Sequence, residues 1–198
     1  LPPLPEPEYR YIKSRSGKVT INAGGSILDG DENTASNSSG RGITLTAGGA
    51  IGTADNALEI HLMGQTGNDL LNAHAQEGVY ITAPEGVLQA GNVSSATADV
   101  HLTTLVGYLR AGSITADNGT VALHSAGDIF TDGTSASIIR GRHIELVSAG
   151  NIGNLVNLIM LAPGEPGYIS LSASAGKSMY LQGLGGDLLV ERLSAAAG

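Results

Sequence analysis

The stretch Ile43 to Ile60, ITLTAGGAIGTADNALEI, returns without a gap as IELVSAGNIGNLVNLIML at Ile144 to Leu161. Ile43, Leu45, Gly49, Ile51, Gly52, Asn56 and Ile60 lie over Ile144, Leu146, Gly150, Ile152, Gly153, Asn157 and Leu161, at a constant offset of 101 residues. Self-similarity at a fixed period marks a solenoid, whose units cannot bury an apolar face alone and must stack on their neighbours. The chain is therefore an array, and its sequence argues architecture more strongly than chemistry.

The unit that repeats is a strand, a corner and a short strand. From Gly17 the run Val19-Thr-Ile21-Asn-Ala23-Gly-Gly25-Ser-Ile27 alternates apolar and polar residues with period two, turns at glycine and becomes apolar again. The same grammar is found at Val121 to Ile129 and at Val79 to Val87. Small residues follow the second apolar position, at Ala23, Ala47, Ala83, Ser125, Ser148 and Ala173, where stacked backbones would crowd at a corner. The glycines beside them suit a tight bend with positive φ. Asn68 to Glu77 could pass for a short helix, but Leu71, Ala73 and Ala75 align with Leu171, Ala173 and Ala175 in period-two alternation, so a strand is expected.

Alternation also predicts which side chains point inward. Val19/Ile21, Ile43/Leu45, Val79/Ile81, Val100/Leu102, Val121/Leu123, Ile144/Leu146 and Ile169/Leu171 are expected to form aliphatic columns along the axis. Each such side chain, fully buried, contributes roughly 1.5–3 kcal/mol. The fold expected is all-β: a parallel, right-handed β-helix of about eight coils, built from two super-repeats of about 100 residues. Residues 1–16 read as a proline-rich linker and lead-in, with LPPLPEP at Leu1 to Pro7 extended. Residues 17–198 read as the solenoid, its copies spanning about 17–116 and 117–198.

Composition agrees with a solenoid and narrows its partners. Glycine accounts for 29 of the 198 residues, tryptophan is absent and phenylalanine occurs once, so the core must be aliphatic. A formal net charge of −8 with only ten scattered basic residues argues against nucleic acid, whose binding needs clustered Lys and Arg. The longest apolar run, around Leu158 to Ala162, is too short for a membrane helix, so no membrane insertion is expected. With no cysteine there can be neither a disulfide framework nor a thiolate metal site. The chain reads as an excised segment of something longer, and open terminal coils make end-to-end self-association an expected property.

Few residues suggest chemistry. Asp29-Gly-Asp31-Glu-Asn33 places oxygen donors at alternate positions as calcium loops do, but Thr34 and Gly40 stand where an EF-hand has its glycine and closing glutamate, so the reading is a solvated loop. His61 and His101 each sit between inward aliphatics and should point outward, with no third ligand converging. A Ser/His/Asp triad lacks any GxSxG elbow to favour it. An outward stripe of Thr20, Thr44, Tyr80, His101, Ala122, Glu145 and Ser170 could offer glycans a flat ladder, and otherwise is a solvated face. The sequons at Asn37, Asn92 and Asn118 are what chance gives in a Ser/Gly-rich chain. No catalytic, cofactor-binding or metal residue is assigned, and no cofactor is expected.

Gly42-Ile-Thr-Leu-Thr-Ala-Gly-Gly-Ala-Ile51 with Gly52 and Asn56, and the matching run from His143 to Asn157, resemble the repetitive shafts of filamentous-haemagglutinin-like exoproteins, bacterial surface adhesins exported by two-partner secretion. The resemblance covers about Gly17 to the end. It implies a right-handed parallel β-helix, secretion to the bacterial cell surface, and a role in adhesion, aggregation, biofilm or carriage of a distal toxin. With no NPNG-type secretion motif, the chain would be an interior shaft segment, and the family has no catalytic residues to carry over. The expected function is thus a structural and adhesive shaft meeting host-cell surfaces, neighbouring bacteria or glycans. The alternatives are a β-helical polysaccharide-active enzyme and a glycan-binding module using an outward sheet face.

Overall fold

The alternating segments do form strands, and the strands stack. In a computed structural model, describing residues 11–31, 33–64, 66–164 and 167–196, the protein is a parallel β-solenoid of about eight turns with no helix among the described residues. The proline-rich stretch Leu1 to Pro7 lies outside the described residues. The lead-in joins the ladder early, since Ile12–Lys13 already pairs with Ser38 and Ser39. Leu71–Ala75 is a strand, as its repeat partner required.

Each coil lays the chain along three faces. On the first face Lys18–Ala23, Gly42–Ala47 and Leu71–Ala75 stack in register and continue through Val93, Ile114, Ile139 and Leu161 to Gly183. The second face runs from Ile27 and Ile51 through Val79, Val100, Val121 and Ile144 to Leu171 and Val190. The third face begins with Ile12, Ser38 and Ile60, and higher up carries Leu88, Leu109, Ile129, Ile152 and Met179. Every pairing is parallel, because successive coils run in the same sense.

The inward side chains of all three faces meet in one aliphatic core. Ile43, Leu45, Ile51, Ile60, Leu71, Leu102, Leu109, Ile114 and Leu123 are completely buried and belong to a single cluster that runs the length of the stack. With so few aromatic side chains, this close packing of branched aliphatics is the main apolar contribution to stability.

Two expectations about register need correction. Val19 and Ile43 do not continue into Val79; Leu71 stacks on Ile43, while Val79 stacks on Ile51 on the second face. The predicted single set of columns is therefore two sets on adjacent faces. Further along, Ile144 pairs with Leu171 and Leu146 with Ala173, two residues off the expected match to Ile169. A two-residue shift leaves every side chain on its original side, so alternation alone cannot distinguish the registers. The same shift puts Ala175, and not Ala173, in the corner row with Ala83, Thr104, Ser125 and Ser148.

The corners divide the glycines into two kinds. Gly52 and Gly153 have φ of 64° and 69°, and a Cβ on either would run into the carbonyl oxygen of Tyr80 or Tyr180, one coil on. Gly48 and Gly49 lie outside the positive-φ region, and there a Cβ would strike the coil below, at Gly24 and Ser26. The expected positive φ thus applies to the bend that follows the corner. After the bend, Thr53 N–H donates to the Asn56 carbonyl at 2.8 Å, and Asn154 N–H to that of Asn157 at 3.0 Å. The side chain that closes this turn differs: the Thr53 hydroxyl accepts from Asn56 N–H, while the Asn154 amide oxygen accepts from Asn157 N–H.

Candidate binding surface

A sheet face built this way presents rows of outward side chains about 4.8 Å apart along the axis. On the second face one row reads Tyr80, His101, Ala122, Glu145, Ser172 and Arg192, and the next reads Thr82, Thr103, His124, Val147, Ser174 and Ser194. The stripe expected from sequence is thereby divided. Thr20 and Thr44 lie on the first face with Asn72, while Tyr80, His101, Ala122 and Glu145 are consecutive on the second. Ser170 belongs to a neighbouring row above His143, and Ser172 takes its expected place above Glu145, again because of the two-residue shift.

Neighbours in these rows satisfy one another. The Tyr80 and His101 rings lie 5.1 Å apart and tilted by 41°. His124 Nε2 reaches across to Glu145 Oε1 of the adjacent row at 3.2 Å, and on the first face His74 Nδ1 is 2.7 Å from Ser94 Oγ one coil on. Burial holds the His101 imidazole below its usual value and outweighs the opposing pull of Asp99, whose carboxylate lies 4.0 Å away. Burial thus favours the uncharged imidazole, which packs as a tilted aromatic partner of Tyr80. His61 also points outward, 3.6 Å from Glu85, as alternation predicted.

At the junction of the first and second faces the rows open into a shallow cleft of about 350 Å³. Arg142, His143, Tyr168 and Asn118 line it, with Asp99 accepting from Thr120 N–H at 2.7 Å on one wall. Ser170 lies on the other wall, with His143 Nδ1 2.9 Å from its hydroxyl oxygen and its own hydroxyl donating to Glu191 Oε1. That hydrogen bond is the first cause of a Glu191 carboxyl held below its usual range. The order is His, Ser, Glu with the serine in the middle. A nucleophilic serine needs the imidazole between it and the acid, so this is a ladder of hydrogen bonds and not a charge-relay arrangement. The cleft offers a guanidinium, a ring and several hydroxyl and amide groups, donors and a stacking surface suited to a hydroxyl-rich ligand.

The remaining sequence candidates separate clearly. In the Asp29–Asn33 loop, Asp31 N–H donates to Asp29 Oδ1, Asn33 N–H to Asp31 Oδ1 and Ala35 N–H to Asn33 Oδ1, so the side chains fold the loop onto its own backbone. Asn37 donates to Asp29 Oδ1 at 2.6 Å and accepts from Glu59 N–H at 2.9 Å, which engages both ends of its amide. Asn92 and Asn118 are exposed. From the sequence Glu59 figures only as an acid near a histidine, without the third ligand a zinc ion needs; alternation puts it outward, yet it is only 7% exposed beneath that loop. The length of the insertion between Ile27 and Ser38 was the signal available for this cover.

Comparison with models of protein families, with curated proteins and with solved structures gives no match.

Proposed function

We propose that the chain is a structural and adhesive shaft segment of a secreted bacterial surface protein, extending and displaying what it is joined to while offering its outward faces to host-cell or neighbouring bacterial surfaces. One observation carries the reading: the repeating unit is open-ended. Val19 on the first face is repeated by Val121 on the second, four coils and one face further on, so the stack can be lengthened coil by coil without closing on itself. The resemblance of the run from Gly42 to Asn56 to haemagglutinin-like shafts supports the same reading. So does the way outward side chains bond along the rows, which gives a stiff, polar surface.

The test is retention. Beads carrying the chain should hold to epithelial or bacterial cell layers above beads carrying an unrelated solenoid of equal charge, and equal retention would remove adhesion from the reading. A second reading is favoured by the cleft at Arg142, His143 and Tyr168: a module that binds a hydroxyl-rich glycan. It predicts signals on a glycan array that fall on Tyr168→Ala. Turnover of a polysaccharide that is lost in Asp99→Asn would replace both with an enzyme.

A further inference from the structure

The row of side chains that crosses the cleft has its proton positions fixed from its upper end. Thr120, His143 and Ser170 pair coil by coil, and Asp99 directly precedes Val100, the partner of Val121. Above Ser170 the ladder takes in an extra residue: Val190 pairs with Leu171 and Arg192 with Ser172, so Glu191 is a bulge between them. Bulges re-aim the side chain they carry. Here the Glu191 carboxylate receives the hydroxyls of both Ser170 and Ser172, on the row and beside it.

A serine hydroxyl has a single hydrogen, and Ser170 gives its own to Glu191. Towards His143 it can therefore only accept. His143 Nδ1, 2.9 Å from Ser170 Oγ, is then the nitrogen that bears the proton, and in the neutral ring Nε2 is a bare acceptor. That tautomer decides what the cleft can read. Asp99 and neutral His143 leave a ligand only acceptors, Arg142 leaves it only donors, and the Asn118 amide and Thr120 hydroxyl are able to do either. A sugar hydroxyl donates and accepts at once, so it matches both kinds of wall. A carboxylate or sulfate only accepts, so against Asp99 and His143 it leaves acceptors unpaired and meets the Asp99 charge.

We propose that the cleft selects neutral glycans, whose hydroxyls donate to Asp99 and to His143 Nε2 and accept from Arg142 while a sugar ring lies against Tyr168. Glu191 is the positioning residue that sets the His143 tautomer through Ser170. The proposal rests on the glycan-binding reading of the cleft.

The tautomer is tested first, without any ligand, by nitrogen NMR of the imidazole-labelled chain. Neutral His143 should show a protonated Nδ1 and a bare Nε2, and the reverse overturns the proposal. In Glu191→Ala the Ser170 hydrogen is released to face Nδ1, so the form protonated at Nε2 should gain; an unchanged spectrum removes Glu191 from the role. If that variant does not fold, Ser170→Ala, which takes away the acceptor itself, decides by the same criterion. Specificity is then read on an array that carries neutral glycans beside their sulfated and uronate-bearing counterparts. Neutral members should bind about tenfold or more above the anionic ones, the weight of one hydrogen bond to a charged group, and Asp99→Asn should narrow that ratio. Anionic members binding as well as neutral ones would overturn the selection and leave the glycan reading standing. A blank array removes the glycan reading, and the proposal with it.

Discussion

The two super-repeat copies are alike in backbone and unlike in position. Gly52 and Gly153 make the same bend, Asn56 and Asn157 close the same turn, and Gly86 and Gly186 share a positive φ. Yet Val19, Ile43 and Leu71 stack on the first face, whereas their counterparts Val121, Ile144 and Leu171 stack on the second. Likewise Ile27, Ile51 and Val79 occupy the second face, and Ile129, Ile152 and Met179 the third. The period of the sequence is therefore four coils and a third. What is repeated is the local unit of strand and corner, and the three faces are similar enough inside that a unit can occupy any of them. An inward branched aliphatic meets another wherever it lands, and the core has no directional groups to distinguish one face from the next.

The widest energetic gap between the copies lies at their far ends. Leu88, Ala90 and Val93 are 0%, 2% and 1% exposed beneath the coil that carries Leu109 and Ile114. Their counterparts Leu188, Val190 and Leu193 are 41%, 52% and 49% exposed, with no described coil stacked on them. Leu88→Ala should cost about 2–5 kcal/mol, the range for emptying a packed aliphatic site, and Leu188→Ala less than about 1 kcal/mol. Urea unfolding of the two variants measures the difference. Equal losses would mean that the upper edge is covered in solution, which is the end-to-end association expected of an open parallel edge; sedimentation at several concentrations would then show the assembly.

How much of this could be read beforehand depends on what each feature rests on. Strand identity rested on alternation and repetition, both local, so Leu71–Ala75 was legible as a strand despite its helix-like composition. The need for Gly52 was legible from its recurrence as Gly153. Which face a strand joins depends on the summed lengths of all earlier corners. Val100 to Val121 is a coil of 21 residues and Ile43 to Leu71 one of 28, and no single segment reveals that sum. The register of Tyr168–Ala175 was hidden for another reason: Ile169, Leu171, Ala173 and Ala175 are four inward positions, any adjacent pair of which can meet Ile144 and Leu146. The cleft was hidden because His143, Tyr168 and Ser170 come from two coils. Glu59 was hidden because its burial is imposed by a loop and not by its strand.

The bends allow a sharper comparison than the ends. Gly52→Ala and Gly153→Ala each force a Cβ against a backbone carbonyl in a conformation that L side chains rarely adopt, so both should lose about 1–3 kcal/mol. Gly24→Ala, where a Cβ meets open space and φ is not positive, should change stability by less than about 0.5 kcal/mol. Thermal unfolding of the three variants tests whether the bend is the conserved mechanical element of the unit. A small loss at Gly153 beside a large one at Gly52 would show that the copies share their shape but not their dependence on it.

The smallest expected effect separates the loops that cap the two copies. Asp132 accepts from Ser137 Oγ at 2.5 Å, from the Thr134 amide at 3.0 Å and from Arg110 at 3.1 Å, and these bonds, led by that of Ser137, hold its carboxyl well below the usual range. Its contribution is present above the ordinary aspartate value of roughly 3.9 and is lost as pH falls below that. Because Asp132 is substantially solvated, the amount is no more than about 1 kcal/mol. Glu59 has the opposite sign: its carboxyl is raised, so the folded chain takes up the proton first and gains stability as pH falls through that raised value. Acidification should first strengthen hydrogen-exchange protection of the Glu59 amide, which donates to Asn37, and only later weaken that of the Thr134 amide, which donates to Asp132. If both amides weaken together, the Glu59 carboxyl is not under strain, and the difference between the copies reduces to one of faces.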